Sequence, residues 1–141
     1  MKYYLAYGSN LDLDHMKTLC PEAKFIGITR INGYRLAFRG EELRSYLTIL
    51  EDDNSFIYVG VFQININDEK SLDYYEDYPN LYYKKEIEFN LMGKILKGLV
   101  YIMHEVNSFN RPSTRYINMV KRAYEYHKLD ISLIENALNK K

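Results

Sequence analysis

The sequence predicts an α+β fold: a mostly antiparallel mixed sheet, curled into a small β-barrel and flanked by helices. Three observations lead there. Strand-like runs separated by turn residues fill the middle of the chain. Helical patterns with capping residues lie towards both ends. The length of 141 residues, 47% hydrophobic and 27% charged, fits one domain spanning 1–141 around one core.

The elements follow in order. Lys2–Tyr7 is a short apolar and aromatic run that reads as a strand. Asp12–Leu19 reads as a short helix, ended before Pro21. Lys24–Arg30 and Tyr34–Arg39 suit a hairpin about Asn32-Gly33, a favoured tight-turn pair. Arg44–Leu50 and Phe56–Ile64 suit another, joined by the polar run Glu51–Ser55. Asn67–Glu76 reads as a helix with acidic residues in its first turn. Tyr82–Phe89 and Ile95–His104 are long strands turning at Met92-Gly93. Arg111-Pro112 marks a break, after which Ser113 can cap a helix to about Lys128. Tyr116, Val120, Ala123 and His127 share one face of it. Asp130 caps a last helix that aligns Ile131, Ile134 and Leu138. The chain has no repeat, linker or low-complexity segment.

Composition excludes several classes of function. Lys+Arg and Asp+Glu both number 19, so nothing favours a polyanion, and nucleic acid is not an expected partner. No run has the length of a membrane span, and no signal peptide is expected. Cys20 is the only cysteine, which rules out a disulfide framework and fits a reducing cytoplasm. His15, His104 and His127 stand far apart without ligand spacing, so no metal or other cofactor is expected. There are 15 tyrosines and no tryptophan. Most of these tyrosines suit strands, with the ring in the core and the hydroxyl near water, and some could line a polar pocket.

Two features could carry chemistry. In the first, the run ending at Tyr7 gives way to Gly8-Ser9-Asn10, and a helix follows. Strand, glycine turn and helix start can build an anion pocket from main-chain N–H groups. Gly8 permits positive φ and close approach of a ligand, and Asn10 can cap the helix. A turn whose asparagine only caps a helix would look the same. The second feature is Glu76, four residues after Leu72 and so on the same helix face. Leu72 and Tyr75 should face the core, with Asp73 and Asp77 on the wetter side. Desolvation at the buried edge would raise the pKa of Glu76 and suit it as a general base. The alternative is a solvated glutamate paired with Lys84 or Lys85.

Together these features resemble a family. YYLAYGSNL at 3–11, LDYYEDYPNLYY at 72–83 and RPSTRYINMVKRAYEY at 111–126 are similar to the landmarks of the gamma-glutamylcyclotransferases. That family includes the related amine- and antibiotic-tailoring cyclotransferases. TILEDDNSFIYVGVFQI at 48–64 is similar to the strand pair before its catalytic helix. The resemblance covers nearly the whole chain. In the family, glycine usually follows the catalytic glutamate, and Asp77 follows it here.

The resemblance implies a pocket where Tyr7, Gly8, Ser9, Asn10 and Leu11 face Glu76 as general base. It also implies substrate contacts from Tyr83, Tyr101 and Tyr116, although each of these tyrosines could pack in the core instead, Tyr101 and Tyr116 equally so. The implied reaction releases 5-oxoproline from a γ-glutamyl amino acid or amine by attack of the α-amine on the γ-amide. The implied partner is therefore a small γ-glutamyl molecule, and a homodimer is compatible. Pro79, Tyr78 and Tyr82 should stiffen and narrow the leaving-group side, favouring small or uncharged leaving groups over glutathione. Other readings are a γ-glutamylamine or natural-product-tailoring relative and a non-catalytic small-carboxylate binder. A tyrosine platform for single-stranded nucleic acid needs a basic groove that the balanced charge does not supply.

Overall fold

A computed structural model describes residues 1–140. Five strands form one sheet in the order β2-β3-β1-β5-β4: β1 (Lys2–Ala6), β2 (Lys24–Glu41), β3 (Arg44–Ile64), β4 (Tyr82–Leu91) and β5 (Lys94–Met103). Four helices flank it: α1 (Leu13–Leu19), α2 (Ile66–Tyr75), α3 (Thr114–Tyr126) and α4 (Ser132–Asn139). β1 runs antiparallel to β3 and parallel to β5, and the other neighbours are antiparallel. The class is α+β with a mixed sheet, but the barrel does not close. The edge strands approach only through contacts such as Thr29 Oγ1, which donates to the Asn90 carbonyl at 2.6 Å.

The two expected hairpins are a single one with far longer arms. β2 and β3 pair from Lys24↔Gln63 to Glu41↔Arg44, and the chain reverses at Glu42-Leu43. Asn32-Gly33 is not a turn but a register shift between Asn32 and Tyr34 within β2, with Gly33 at φ +92°. Glu51–Ser55 is extended chain inside β3. A bulge needs the same positive φ as a tight turn, so an isolated Asn-Gly pair does not separate the two. Met92 (φ 53°) and Gly93 (φ 83°) do make the expected turn between β4 and β5.

Caps fix the helices. Asp12, not Asn10, caps α1 by accepting from the His15 N–H at 3.0 Å. Asn65 and Asp68 form a reciprocal capping box that starts α2 one residue before the expected Asn67. Ser113 caps α3 by accepting from the Tyr116 N–H at 3.2 Å. The N-cap of α4 is Ile131 rather than the expected Asp130, which stands one residue earlier and accepts from the Ser132 N–H at 2.9 Å.

Strand alternation divides the core in two. Leu5 and Tyr7 of the β1 segment join the cluster under α3 and α4, around Phe38, Val120, Tyr124 and Ile134. Tyr4 and Ala6 face the cluster under α1 and α2, with Met16, Leu72, Tyr82 and Tyr101. The end of β1 therefore lies where the two clusters meet. Among the described residues, no helix is long and apolar enough to cross a membrane.

Candidate active site

At the end of β1 the chain makes one 3₁₀ turn, Ser9–Leu11. The Leu11 N–H bonds to the Gly8 carbonyl at 3.0 Å and the Asp12 N–H to the Ser9 carbonyl at 3.1 Å. The N–H groups of Ser9 and Asn10 have no main-chain acceptor. Gly8 has φ −125°, so the expected left-handed conformation is absent. A Cβ on Gly8 would meet Leu47 and the Tyr116 hydroxyl at 3.5 Å, which places this glycine against the pocket wall. Asn10 donates from Nδ2 to the Tyr4 hydroxyl at 2.9 Å, and its Oδ1 is buried with no hydrogen-bond partner among the described residues.

Opposite this turn stands Glu76, the C-cap of α2. The helix ends in a Schellman arrangement: the Asp77 N–H bonds to the Tyr74 carbonyl at 3.2 Å and the Tyr78 N–H to the Asp73 carbonyl at 2.9 Å. That motif demands a left-handed residue at position 77, and Asp77 has φ 50°. This is the position where the resembled family usually carries glycine. Aspartate is among the residues that tolerate the conformation, so the end of the helix is preserved.

The Glu76 carboxylate makes no hydrogen bond or ion pair with any described residue. The two lysines that could have paired with it are engaged elsewhere. Lys84 reaches Glu69 at 2.9 Å and Asp73 at 3.1 Å, while Lys85 reaches the Tyr34 hydroxyl at 3.2 Å and Glu51 at 3.6 Å. Burial without a compensating partner pushes the Glu76 carboxyl up to about 7.

Around them is a cavity of about 300 Å³, the size for a small molecule. Gly8, Ser9 and Asn10 form one side and Glu76 another, with Tyr4, Tyr7, Tyr82, Tyr101 and Tyr116 in the walls. Tyr46 and Tyr75, 40% and 41% exposed, stand at the mouth, and Leu47 and Leu81 complete the lining. No lysine, arginine or histidine lines it, so Glu76 is its only charged side chain.

Hydroxyl directions are fixed by partners. Tyr7 donates to the Tyr101 carbonyl at 2.6 Å, Tyr82 to the Leu47 carbonyl at 2.9 Å, and Tyr101 to Asp73 at 2.5 Å. Tyr116 accepts from the Leu47 N–H at 3.0 Å. Burial, with a smaller push from Glu76, holds Tyr4, Tyr7, Tyr82 and Tyr116 well above the ordinary tyrosine range, so all stay protonated.

Of the nine residues singled out from the sequence, seven meet at the cavity: Tyr7, Gly8, Ser9, Asn10, Glu76, Tyr101 and Tyr116. Leu11 is fully buried in the core behind the turn. Tyr83 points away from the cavity and donates to Glu105 at 2.9 Å, because successive strand residues face opposite sides. Its neighbour Tyr82, expected as bulk on the leaving-group side, faces into the cavity, as alternation along that strand requires. Tyr78 does not line the mouth; its ring lies 4.3 Å from the Lys84 Nζ. Tyr46 and Tyr75 narrow the mouth instead, and no local signal marks Tyr46 as a pocket residue. Among the described residues, no group of three or more His, Cys, Asp or Glu is placed to hold a metal ion.

The chain matches the family model described as gamma-glutamyl cyclotransferase, AIG2-like, over residues 4–120. No protein of curated function matches the sequence. A solved structure named gamma-glutamyl cyclotransferase aligns with TM-score 0.84 and 21% identity, over 96% of this chain and 85% of that one. An uncharacterized Homo sapiens protein aligns with TM-score 0.84 and 22% identity, over the same shares. YkqA from Bacillus subtilis aligns with TM-score 0.81 and 20% identity, over 99% of this chain and 54% of its own. At these identities the structures establish the shared fold, and the family model establishes membership. The chain belongs to the gamma-glutamyl cyclotransferase, AIG2-like family.

Proposed function

We propose that this protein releases 5-oxoproline from a small γ-glutamyl amino acid or amine, with Glu76 as general base and acid. The observation that carries the reading is the unpaired, partly buried Glu76 carboxyl at about 7, facing a turn with free main-chain N–H groups across a small cavity.

A γ-glutamyl substrate holds its own nucleophile, an α-amine one five-membered ring away from the γ-amide carbon. The protein must chiefly fold the substrate and keep it folded, and an intramolecular reaction rewards that strongly. The α-ammonium is inert until it loses a proton. A carboxylate near 7 can take that proton at neutral pH and still surrender it later. The freed nitrogen attacks the γ-carbonyl carbon and the ring C–N bond forms. The carboxyl then gives its proton to the leaving nitrogen as the γ-amide C–N bond breaks. The two protons lost by the attacking nitrogen match the two gained by the leaving amine, so no water, oxidant or reductant is consumed. The substrate's α-carboxylate suits the N–H groups of Ser9 and Asn10 and the Ser9 hydroxyl.

The test is direct. The purified protein is incubated with a panel of γ-glutamyl amino acids, γ-glutamyl amines and glutathione, and 5-oxoproline is sought by mass spectrometry. Its release from at least one member, abolished in Glu76→Gln, supports the reading. A panel with no 5-oxoproline refutes it.

A further inference from the structure

We infer that hydrogen-bond direction gives the pocket a built-in polarity: the Tyr7 and Tyr82 oxygens seat the substrate's α-ammonium, and the Tyr116 proton receives the γ-carbonyl oxygen. This rests on the cyclotransferase reading above and assigns positions within that same site.

A tyrosine hydroxyl has one proton and two lone pairs. Tyr7 spends its proton on the Tyr101 carbonyl and Tyr82 spends its own on the Leu47 carbonyl. Each oxygen therefore has only lone pairs left to offer the cavity. Both residues line the same cavity as Glu76. Two acceptor-only oxygens beside a carboxylate make a poor place for an anion and a good one for an ammonium group, which has only donors. The lining has no positive side chain to compete for that place.

Tyr116 is wired the opposite way. Its oxygen accepts the Leu47 N–H at 3.0 Å, so its proton is free to point into the cavity. It also stands across from the Gly8 turn, 3.5 Å from where a Cβ on Gly8 would be. A free hydroxyl proton there can bond a carbonyl oxygen and strengthen that bond as negative charge develops. Leu47 is the shared anchor: its carbonyl orients Tyr82 and its N–H orients Tyr116, so one strand residue sets both directions. Burial keeps these hydroxyls protonated through neutral pH, which holds the pattern in place.

The experiment compares γ-glutamyl-alanine with glutaryl-alanine, which differs only in lacking the α-amine. Glutaryl-alanine cannot cyclise and is measured as a competitive inhibitor. Tyr82→Phe removes one oxygen from the ammonium seat. It should raise KM for γ-glutamyl-alanine by about tenfold, the worth of one hydrogen bond to a charged group. The inhibition constant of glutaryl-alanine should change less than about twofold. Tyr7→Phe should show the same split and serves if Tyr82→Phe proves unfolded by circular dichroism. Tyr116→Phe should lower kcat by about 10²-fold with KM little changed, as loss of an oxyanion donor does. Equal weakening of both ligands in Tyr82→Phe and Tyr7→Phe would overturn the ammonium seat. A Tyr116→Phe effect confined to KM would overturn the donor assignment. If the unmodified protein makes no 5-oxoproline from any γ-glutamyl compound, the functional reading fails first and this inference falls with it.

Discussion

Replacing Glu76 with glutamine should make the protein more stable at neutral and alkaline pH, and the size of the gain follows from the site. The folded protein holds this carboxyl at about 7, against an ordinary value of 4.5. Between those values the folded state binds a proton that the unfolded chain releases. Raising the pH through this window therefore destabilises the folded protein, and the loss is complete above about 7. At about 1.4 kcal/mol per pH unit, the full loss is roughly 3 kcal/mol. Glu76→Gln keeps the shape of the side chain and has no charge to bury, so it escapes this loss. Urea unfolding at intervals from pH 5 to pH 8 reads the difference. The wild-type curve should fall relative to the variant by about 2–3 kcal/mol across the window. Groups common to both proteins cancel in the comparison. The carboxyls of Asp52, Glu69 and Asp130 are held below the ordinary range and titrate under this window. Parallel curves for the two proteins would show that Glu76 is not desolvated, and the argument for its basicity would fail.

Three further outcomes are expected. Asp77→Gly removes a side chain from a left-handed position (φ 50°) and a carboxylate from the negative end of α2. After allowing for the greater freedom of glycine in the unfolded chain, it should raise stability by about 0.5–1 kcal/mol, or a melting temperature rise of roughly 2–3 °C. A fall in melting temperature would contradict this. Gly8→Ala places a methyl at ordinary contact distance from Leu47 and Tyr116. It should leave thermal stability nearly unchanged while weakening γ-glutamyl ligands; unchanged KM and kcat would place the ligand away from this turn. Because Tyr46 and Tyr75 crowd the mouth and no cation lines it, γ-glutamyl-alanine should exceed glutathione in kcat/KM in direct competition, and an equal or higher value for glutathione would show that the mouth does not select.

The parts of the site legible in the sequence are those set by local rules. The turn at Gly8-Ser9-Asn10 after an apolar run, the Leu72–Glu76 spacing and the Ser113 cap each occupy a few neighbouring residues, and each is found in place, although Asp12 caps α1 where Asn10 was expected to and Gly8 is not left-handed. The rest depends on long-range pairing. Asn32-Gly33 and Glu51–Ser55 have turn composition, yet the ladder between β2 and β3 continues on both sides of the register shift they form and keeps them within the strands. Tertiary pairing outweighs local preference there. Tyr46 and Leu47 lie near the start of β3, paired with β2 and well before the Gly60–Ile64 stretch that pairs with β1, so only the long-range course of the hairpin brings them to the cavity. Tyr82 and Tyr83 differ by a single step of strand alternation, which reverses the side each ring faces. Closure of the barrel could not be read locally either, since it depends on whether the edges β2 and β4 meet across the whole sheet.

The central claim is that Glu76 moves the proton, and the pH dependence of turnover tests it most directly. Measured with a saturating γ-glutamyl substrate, kcat should rise with pH along a limb centred near 7, as the carboxyl found at about 7 becomes ionised. Glu76→Gln should lower kcat by about 10²–10⁴-fold and abolish that limb. A Glu76→Gln variant that turns over near the wild-type rate, or keeps the same limb, would contradict the account.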